Sequence, residues 1–281
     1  MNVHTDTART TGTTADRYRA GPAELYERHF VPQIGRPCAL PVVDAARLAP
    51  GDRVLDVACG TGVVAQLAAE RVGPRGAIAG VDPQPGMLEV ARATTPSPVD
   101  WREASAEGLP FDDDTFDAAL CSLGLQFFAD KVGALREMRR VVGDGGRIAV
   151  GVPGPTPPMM LELHDALATH LGVEVAAFVH AVFTLDDPDR LAALFVAAGA
   201  GDVAVTSQRL ALRLDPPADF LWQYLLGTPL AAAVDELDAR GRQAIEHDVV
   251  ERWRPYETPT GAEMTIDLHV ALAGPANPST T

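Results

Sequence analysis

Residues 53–62 read RVLDVACGTG, an apolar run that ends in a glycine turn. The β-branched and leucine residues of the run predict a buried strand, and a helical run, residues 63–72, follows the turn directly. Glycines at such a turn let the backbone approach a ligand closely, while the helix start offers free N–H groups. This stretch therefore predicts a nucleoside-containing cofactor at the carboxyl end of a parallel strand.

Short strand-like runs alternate with helical runs on the carboxyl side of this turn. The strand-like runs are 77–81, 116–121 and 147–150, and the helical runs are 86–93 and the one that begins at Asp130. Alternation of this kind is typical of a parallel sheet that helices cover on both faces. The pattern therefore predicts an α/β fold with a doubly wound, mostly parallel sheet.

A proline-rich break at residues 152–158 ends the regular alternation. Beyond it the pattern predicts a strand over 203–214, with a bulge near Ser207, and a final strand over 263–272. Residues 216–254 have a helical pattern and interrupt this strand pair. Because an insertion of that size above a sheet is usually a lid, we predict a helical substrate lid there.

The composition of the chain argues against several kinds of binding partner. The 281 residues include 38 acidic and 23 basic side chains, for a formal charge of −15, which disfavours a nucleic-acid partner. The three cysteines are too few and scattered for a disulfide framework or a zinc site, so we expect a reducing, cytoplasmic setting and no metal. No run approaches the ~18 apolar residues of a membrane span. Residues 1–20 are polar and predict a disordered tail.

Two acidic side chains narrow the choice of cofactor. Asp82 follows the glycine turn by twenty residues, at the end of the second predicted strand, where a carboxylate accepts hydrogen bonds from a ribose diol. Asp56 lies four residues before the first glycine of the turn. A negative charge there opposes a pyrophosphate but attracts an ammonium group. S-adenosylmethionine carries such a group on its methionine end.

Further motifs follow in a consistent order. They are GVDP at 80–83 with GML at 86–88, EGLPF at 107–111, TFD at 115–117, LQFF at 125–128 and LREMRRV at 135–141. With residues 54–62, they make the chain resemble class I S-adenosylmethionine-dependent methyltransferases, in the group similar to the ubiquinone/menaquinone-biosynthesis methyltransferases. The resemblance is strong over residues 24–152 and weak beyond. It implies a seven-stranded, Rossmann-like sheet, an N-terminal helical arm at 21–50 and a methyltransferase domain at 51–281.

The resemblance also implies roles for individual residues. Asp56 and the backbone of Ala58, Gly60 and Gly62 would hold the methionine end, and Asp82 would hold the ribose. The adenine would lie against Pro83, Met87 and Ala106. Cys121 would lie near the methyl group, and Tyr26 would cover the cofactor. One position departs from the family, which often has an acid before the alanine. Here Ser105 stands there, and its hydroxyl carries no charge. Glu103 or Glu107 would have to compensate.

The acceptor side of the site carries no comparable motif. His180, in an apolar run, and His164 are the predicted bases if the acceptor is a phenol, hydroxyl or amine, and burial is expected to keep His180 neutral. Trp222 and Tyr224 fall on the predicted lid, where they either stack on an aromatic substrate or pack within the lid.

The sequence as a whole predicts an S-adenosylmethionine-dependent methyltransferase, monomeric or homodimeric. Its acceptor would be a small molecule, such as a natural product or a quinone-like compound, methylated at O, N or C. One alternative is a nicotinamide-dependent oxidoreductase, since GTGVVA at 60–65 fits a loose dinucleotide pattern. Against it, Phe127 stands four residues before the only lysine, Lys131, where a short-chain dehydrogenase needs tyrosine. The other alternative is a protein that binds S-adenosylmethionine without methylating.

Overall fold

The computed structural model describes residues 21–143 and 145–274, and in this part of the chain eight strands form one sheet. In chain order they are β1 (Arg53–Val57), β2 (Ala77–Asp82), β3 (Asp100–Glu103), β4 (Ala118–Ser122), β5 (Arg147–Pro153), β6 (Val203–Leu214), β7 (Glu257–Thr258) and β8 (Gly261–Ala273). Across the sheet the order is β3-β2-β1-β4-β5-β8-β6, with the short β7 paired to β8. Strands β1 to β5 are parallel, and β8 is antiparallel to both neighbours. The predicted doubly wound α/β fold is confirmed.

Helices cover both faces of this sheet. They are α1 (Pro22–Leu25), a π-helix (Tyr26–Gly35), α2 (Arg36–Ala45), α3 (Val63–Val72), α4 (Pro85–Thr94), α5 (Lys131–Val142), α6 (Pro158–Leu171), α7 (Val173–Ala181), α8 (Pro188–Ala197), α9 (Pro217–Leu226), α10 (Ala231–Asp235) and α11 (Ala239–Trp253). Helix α5 begins where its N-cap predicts, because the Asp130 carboxylate accepts a hydrogen bond from the backbone N–H of Gly133.

Two apolar layers form the core, one on each face of the sheet. The larger packs α2, α3, α6, α9 and α11 together, and the smaller packs α5 and α8. Val54 points into the larger layer and its neighbour Leu55 into the smaller, as alternation along a strand requires. Because β1 is buried on both faces from Val54 onward, its sequence there is apolar except for Asp56.

Strand β6 is regular, so the predicted bulge near Ser207 is wrong. Every residue from Val203 to Leu214 pairs with β8 in one uninterrupted antiparallel register. Val203 and Val205 pack in the smaller layer, whereas Leu212 packs in the larger. The apolar positions change parity along β6 because its two ends are buried on opposite faces, which needs no extra residue.

The N-terminal arm and the helices after β6 are joined by a polar network. The Gln33 amide N–H₂ donates to Oε1 of Gln223 (2.9 Å), and the Gln223 amide donates to Oδ2 of Asp215 (2.8 Å). The backbone N–H of Asp215 donates to Oε1 of Gln33 (2.7 Å) and closes the ring. These bonds fix the π-helix against α9 and the end of β6. Among the described helices, none has the length and apolar character that a membrane crossing needs.

Candidate cofactor and acceptor site

The glycine turn after β1 lies against β2 and β3. Gly60 and Gly62 both have positive φ, of 53° and 94°. A Cβ added at Gly62 would lie 2.6 Å from Cη2 of Trp101, so no larger residue fits there without movement of the indole. Gly62 packs against Trp101 and does not line the cavity, whereas Ala58 and Gly60 both line it. The structure thus brings two of the three predicted backbone positions to the cavity.

Asp56 is a buried carboxylate with one uncommitted oxygen. Its side chain is almost inaccessible, and Oδ2 accepts a hydrogen bond from the backbone N–H of Ala65 (2.9 Å). No described group donates to Oδ1. Burial raises the pKa of Asp56 well above its ordinary value; the Ala65 bond opposes this shift, and the charge of Asp82 adds to it. An ion pair with a cation would relieve the cost of this buried charge.

A small recess beside the main cavity brings Asp56 together with two hydroxyls. Thr61 and Ser122 line it, and each has a buried hydroxyl oxygen that lacks a hydrogen-bond partner among the described residues. Three uncommitted oxygen acceptors, one of them on a carboxylate, suit an ammonium group, which has three N–H donors. The chemistry of the recess therefore fits an ammonium group, such as the one that S-adenosylmethionine carries.

Asp82 joins the glycine turn to the main cavity. Its Oδ2 accepts from the backbone N–H of Gly60, and its Oδ1 from that of Gln84, both at 2.9 Å. Burial raises the pKa of Asp82, and the same two hydrogen bonds oppose the rise. Each carboxylate oxygen keeps a second lone pair, and Asp82 lines the cavity together with Pro83 and Met87. The group therefore fits a ribose diol while it holds the turn in place.

The position that departs from the family has an acid beside it. Ser105, Ala106 and Glu107 all line the cavity, and the Ser105 hydroxyl donates a hydrogen bond to Oε2 of Glu107. This bond is the main cause that lowers the pKa of Glu107, so the carboxylate is ionised at neutral pH. Glu103, the other acid that could compensate, is exposed on β3 and lies outside the lining. Of the two acids that could compensate, only Glu107 therefore lies at the cavity beside Ser105.

The arm forms one wall of the cavity. Tyr26, Phe30, Ile34 and Cys38 recur every four residues and all line it. The rings of Tyr26 and Phe30 stack with centroids 4.5 Å apart, and Tyr26 also lines the recess that holds Asp56. Burial, followed by the charge of Asp82, raises the pKa of the Tyr26 hydroxyl, which is therefore neutral. The arm closes over the same region that Asp56 and Asp82 face.

The main cavity has a volume of about 610 Å³ and extends from these polar groups into an apolar chamber. The chamber walls come from separate parts of the chain: Gln126, Phe127, Phe128, Met160, Phe178, Phe183, Tyr224, Met264 and Ile266. Of these, only Tyr224 was predicted as an acceptor contact. Gln126 lies in the LQFF motif, which indicated the family but gave this residue no role.

Both predicted histidines lie outside the cavity lining. Their rings are neighbours, with centroids 4.3 Å apart, and Nδ1 of His180 is 3.4 Å from the Thr156 hydroxyl. His180 is exposed, so the expected burial is wrong. Helix α7 turns Ala176 and Val179 inward, which directs His180 to solvent.

Trp222 and Cys121 are also absent from the lining. Trp222 is fully buried, and its indole N–H donates to Oε2 of Glu246 on α11 (2.6 Å). Of the two predicted alternatives for Trp222, the structure therefore shows packing among the helices and not a position at the cavity. Cys121 lies beneath Gly124, where its sulfur would be 2.8 Å from an added Cβ. Burial raises the pKa of its thiol to about 12, so the thiol is neutral.

Comparison with known proteins shows which class of protein this chain resembles. Residues 55–150 match the family described as methyltransferase domain. The fold also resembles the solved structure of a Haemonchus contortus phosphoethanolamine N-methyltransferase in complex with S-adenosylhomocysteine. The TM-score is 0.53 and the sequence identity is 15%, and the match covers 85% of this chain and 52% of that one. The predicted similarity to a methyltransferase domain is therefore confirmed for residues 55–150.

Relatives with higher sequence identity show which group of methyltransferases this chain is similar to. The chain is 39% identical over 153 residues to the ubiquinone/menaquinone biosynthesis C-methyltransferase UbiE of Xanthomonas oryzae, covering 53% of this chain and 56% of that protein. It is 36% identical over 134 residues to the 2-phytyl-1,4-naphthoquinone methyltransferase of Synechococcus elongatus, covering 46% of this chain and 58% of that protein. The predicted similarity to the quinone-biosynthesis group is confirmed, and the chain spans a little over half the length of these relatives.

Proposed function

We propose that this protein transfers a methyl group from S-adenosylmethionine to a small, largely apolar acceptor. The observation that carries the proposal is the juxtaposition of two compartments. A recess with the uncommitted carboxylate oxygen of Asp56 adjoins an apolar chamber, and Tyr26 lines both. A cationic cofactor and an apolar acceptor would each meet a matching surface.

The protein's part in such a reaction is to bind, orient and exclude water. When bound, S-adenosylmethionine supplies a methyl group already activated by its sulfonium. Asp56, Thr61 and Ser122 would hold the ammonium group, and Asp82 would hold the ribose. Pro83 and Met87 would flank the adenine, and the arm would cover the site through Tyr26.

The lining of the chamber favours a neutral acceptor that provides its own nucleophile. Within the described part of the chain, the cavity is lined by no histidine, lysine or arginine, and its two acids, Asp82 and Glu107, belong to the cofactor side. An enol, a phenol or a quinol-like ring is nucleophilic at carbon or oxygen, so its methylation does not require a strong base from the protein. We therefore propose a quinone-like or related natural-product ring as acceptor, with α9 to α11 as its lid.

Calorimetric titration with S-adenosylmethionine, S-adenosylhomocysteine and NADH tests the cofactor. We expect both sulfur compounds to bind and NADH not to bind. Formation of S-adenosylhomocysteine in the presence of 1,4-dihydroxynaphthalene then tests methyl transfer. Binding of NADH without any response to the methyl donor would overturn the proposal in favour of an oxidoreductase. Donor binding without turnover on a panel of ring acceptors would favour a non-methylating protein.

His164→Ala and His180→Ala separate this mechanism from one with an imidazole base. Since neither ring lines the cavity, we expect each variant to keep kcat within about twofold of the wild type. The measurement is the initial rate of methyl transfer at saturating donor. A loss of about 100-fold or more in either variant, the usual cost of removing a general base, would restore the histidine as catalytic.

A further inference from the structure

Gln126 is a buried amide in the wall of the acceptor chamber. It is 5% exposed and lies in a short turn, Leu125–Phe127, that follows β4. Its Nε2 donates a hydrogen bond to the backbone carbonyl of Leu123 (2.9 Å). Because a carbonyl only accepts, this bond fixes which end of the amide is nitrogen and which is oxygen.

The backbone around this contact is held in an uncommon conformation. Leu123 has a φ of 57°, in the left-handed region that leucine rarely adopts. Its N–H donates to the carbonyl of Gly151 on β5 (2.9 Å), which anchors the turn to the sheet. Such strain persists where the surrounding structure enforces it, and it is concentrated at functional sites. Here it aims the carbonyl of Leu123 at the Gln126 amide.

The other end of the amide is left without a partner. Oε1 of Gln126 is buried, and no described group donates a hydrogen bond to it. Gln126 lines the main cavity but not the recess that holds Asp56, so its side chain borders the chamber and not the ammonium site. Its nearest chain neighbours in the lining, Phe127 and Phe128, are apolar. A hydrogen-bond acceptor that is fixed in orientation and lacks a partner favours a ligand that carries a matching donor.

We propose that Gln126 is a specificity-determining residue, whose Oε1 selects acceptors that carry an O–H or N–H donor over equally apolar molecules that lack one. The proposal rests on the proposed function for the identity of the chamber as the acceptor site. A ligand without a donor would cover Oε1 and leave it unpaired, which is more costly than the hydrogen bond itself is favourable. Gln126 would act by recognition and orientation, with no proton transfer of its own.

Two probes of similar shape test this selection. 1-Naphthol has one O–H donor, and 1-fluoronaphthalene has the same rings and no donor. We expect the wild-type protein, saturated with S-adenosylhomocysteine, to bind 1-naphthol about tenfold more tightly in a fluorescence titration. In Gln126→Leu and Gln126→Met the two dissociation constants should agree within about twofold, because only the affinity for 1-naphthol falls.

The binding of 1-fluoronaphthalene reports whether each variant is folded, since this ligand needs no hydrogen bond. Gln66→Leu is the matched control: Gln66 bonds to the Thr95 hydroxyl outside the cavity, and this variant should keep the tenfold preference. The inference is overturned if the Gln126 variants keep that preference, if they lose affinity for S-adenosylhomocysteine instead, or if the wild type binds neither probe. Failure of the wild type to bind S-adenosylhomocysteine would instead overturn the proposed function.

Discussion

Asp56→Asn is expected to weaken the binding of S-adenosylmethionine by about 10- to 150-fold, the range for a lost hydrogen bond to a charged group. The asparagine keeps an oxygen for the N–H of Ala65 but presents no negative charge to the recess. The same change is expected to stabilise the ligand-free protein by about 1 kcal/mol, because it removes a buried carboxylate whose Oδ1 has no partner. Loss of affinity with gain of stability is typical of a binding residue.

The stability gain should depend on pH in a defined direction. Burial raises the pKa of Asp56 in the folded protein, so ionisation of this group costs folding free energy. Below the ordinary value of 3.8 the group is neutral in both states and the cost is absent. The cost appears as pH rises from there toward the folded pKa, and the advantage of the variant should grow over the same interval. The affinity of the wild type for the cationic cofactor should rise with pH through the folded pKa.

Calorimetry and urea unfolding between pH 4 and 8 measure both effects. Asp165→Asn is the control for loss of one negative charge, because Asp165 is exposed on α6 and absent from the cavity lining. It should leave the affinity unchanged and the stability within about 0.5 kcal/mol, because its contact with His164 lies at the surface. An unaltered affinity in Asp56→Asn would remove Asp56 from the site, and a less stable variant would contradict the uncompensated charge.

Gly62→Ala should lower the free energy of unfolding by about 3 kcal/mol. Its φ of 94° costs an alanine about 1–2 kcal/mol, and overpacking adds about 1–3 kcal/mol. The overpacking arises because the new Cβ would lie 2.6 Å from Cη2 of Trp101 and 3.3 Å from the Thr95 hydroxyl. Urea unfolding, monitored by circular dichroism, measures the loss.

Two further variants separate backbone strain from overpacking. Gly86→Ala, on α4, has open space around the added Cβ and is expected to be neutral or slightly stabilising. Trp101→Leu removes the indole, so in that background Gly62→Ala should cost only the part due to φ. An equal cost in both backgrounds would show that Trp101 does not restrict the turn.

The residues of the proposed cofactor half could be predicted to lie together because they are local in sequence. Asp56, Gly60 and Asp82 lie on one strand–turn–helix–strand unit, so their spacing along the chain fixes their positions in space. Strand β3 was not predicted, since its sequence, DWRE, is a polar edge without an apolar run. The bulge in β6 was a wrong inference because parity alone does not reveal which face of a strand is covered at each end.

Apart from Tyr224, the proposed acceptor half could not be predicted, because its residues come from distant parts of the chain. Phe30, Gln126, Phe178, Tyr224 and Ile266 meet only in the folded protein. The apolar run around His180 suggested burial, yet only Ala176 and Val179 of α7 are buried, and His180 lies on the exposed side of this helix. The composition of a helix sets how much apolar surface it has, but which side of the helix is buried depends on how it packs in the folded protein.

The regular, two-faced course of β6 also affects how the protein behaves at high concentration. This strand ends the sheet, and an uncovered edge is a template on which a second chain could add a strand. Since its apolar side chains lie near its two ends, its middle, residues 206–209, is polar and exposed and carries Arg209. The opposite edge, β3, carries Asp100, Arg102 and Glu103. Charged side chains on both edge strands disfavour edge-to-edge aggregation. The polar middle of β6, which separates its two apolar ends, therefore also disfavours the addition of a strand from a second chain.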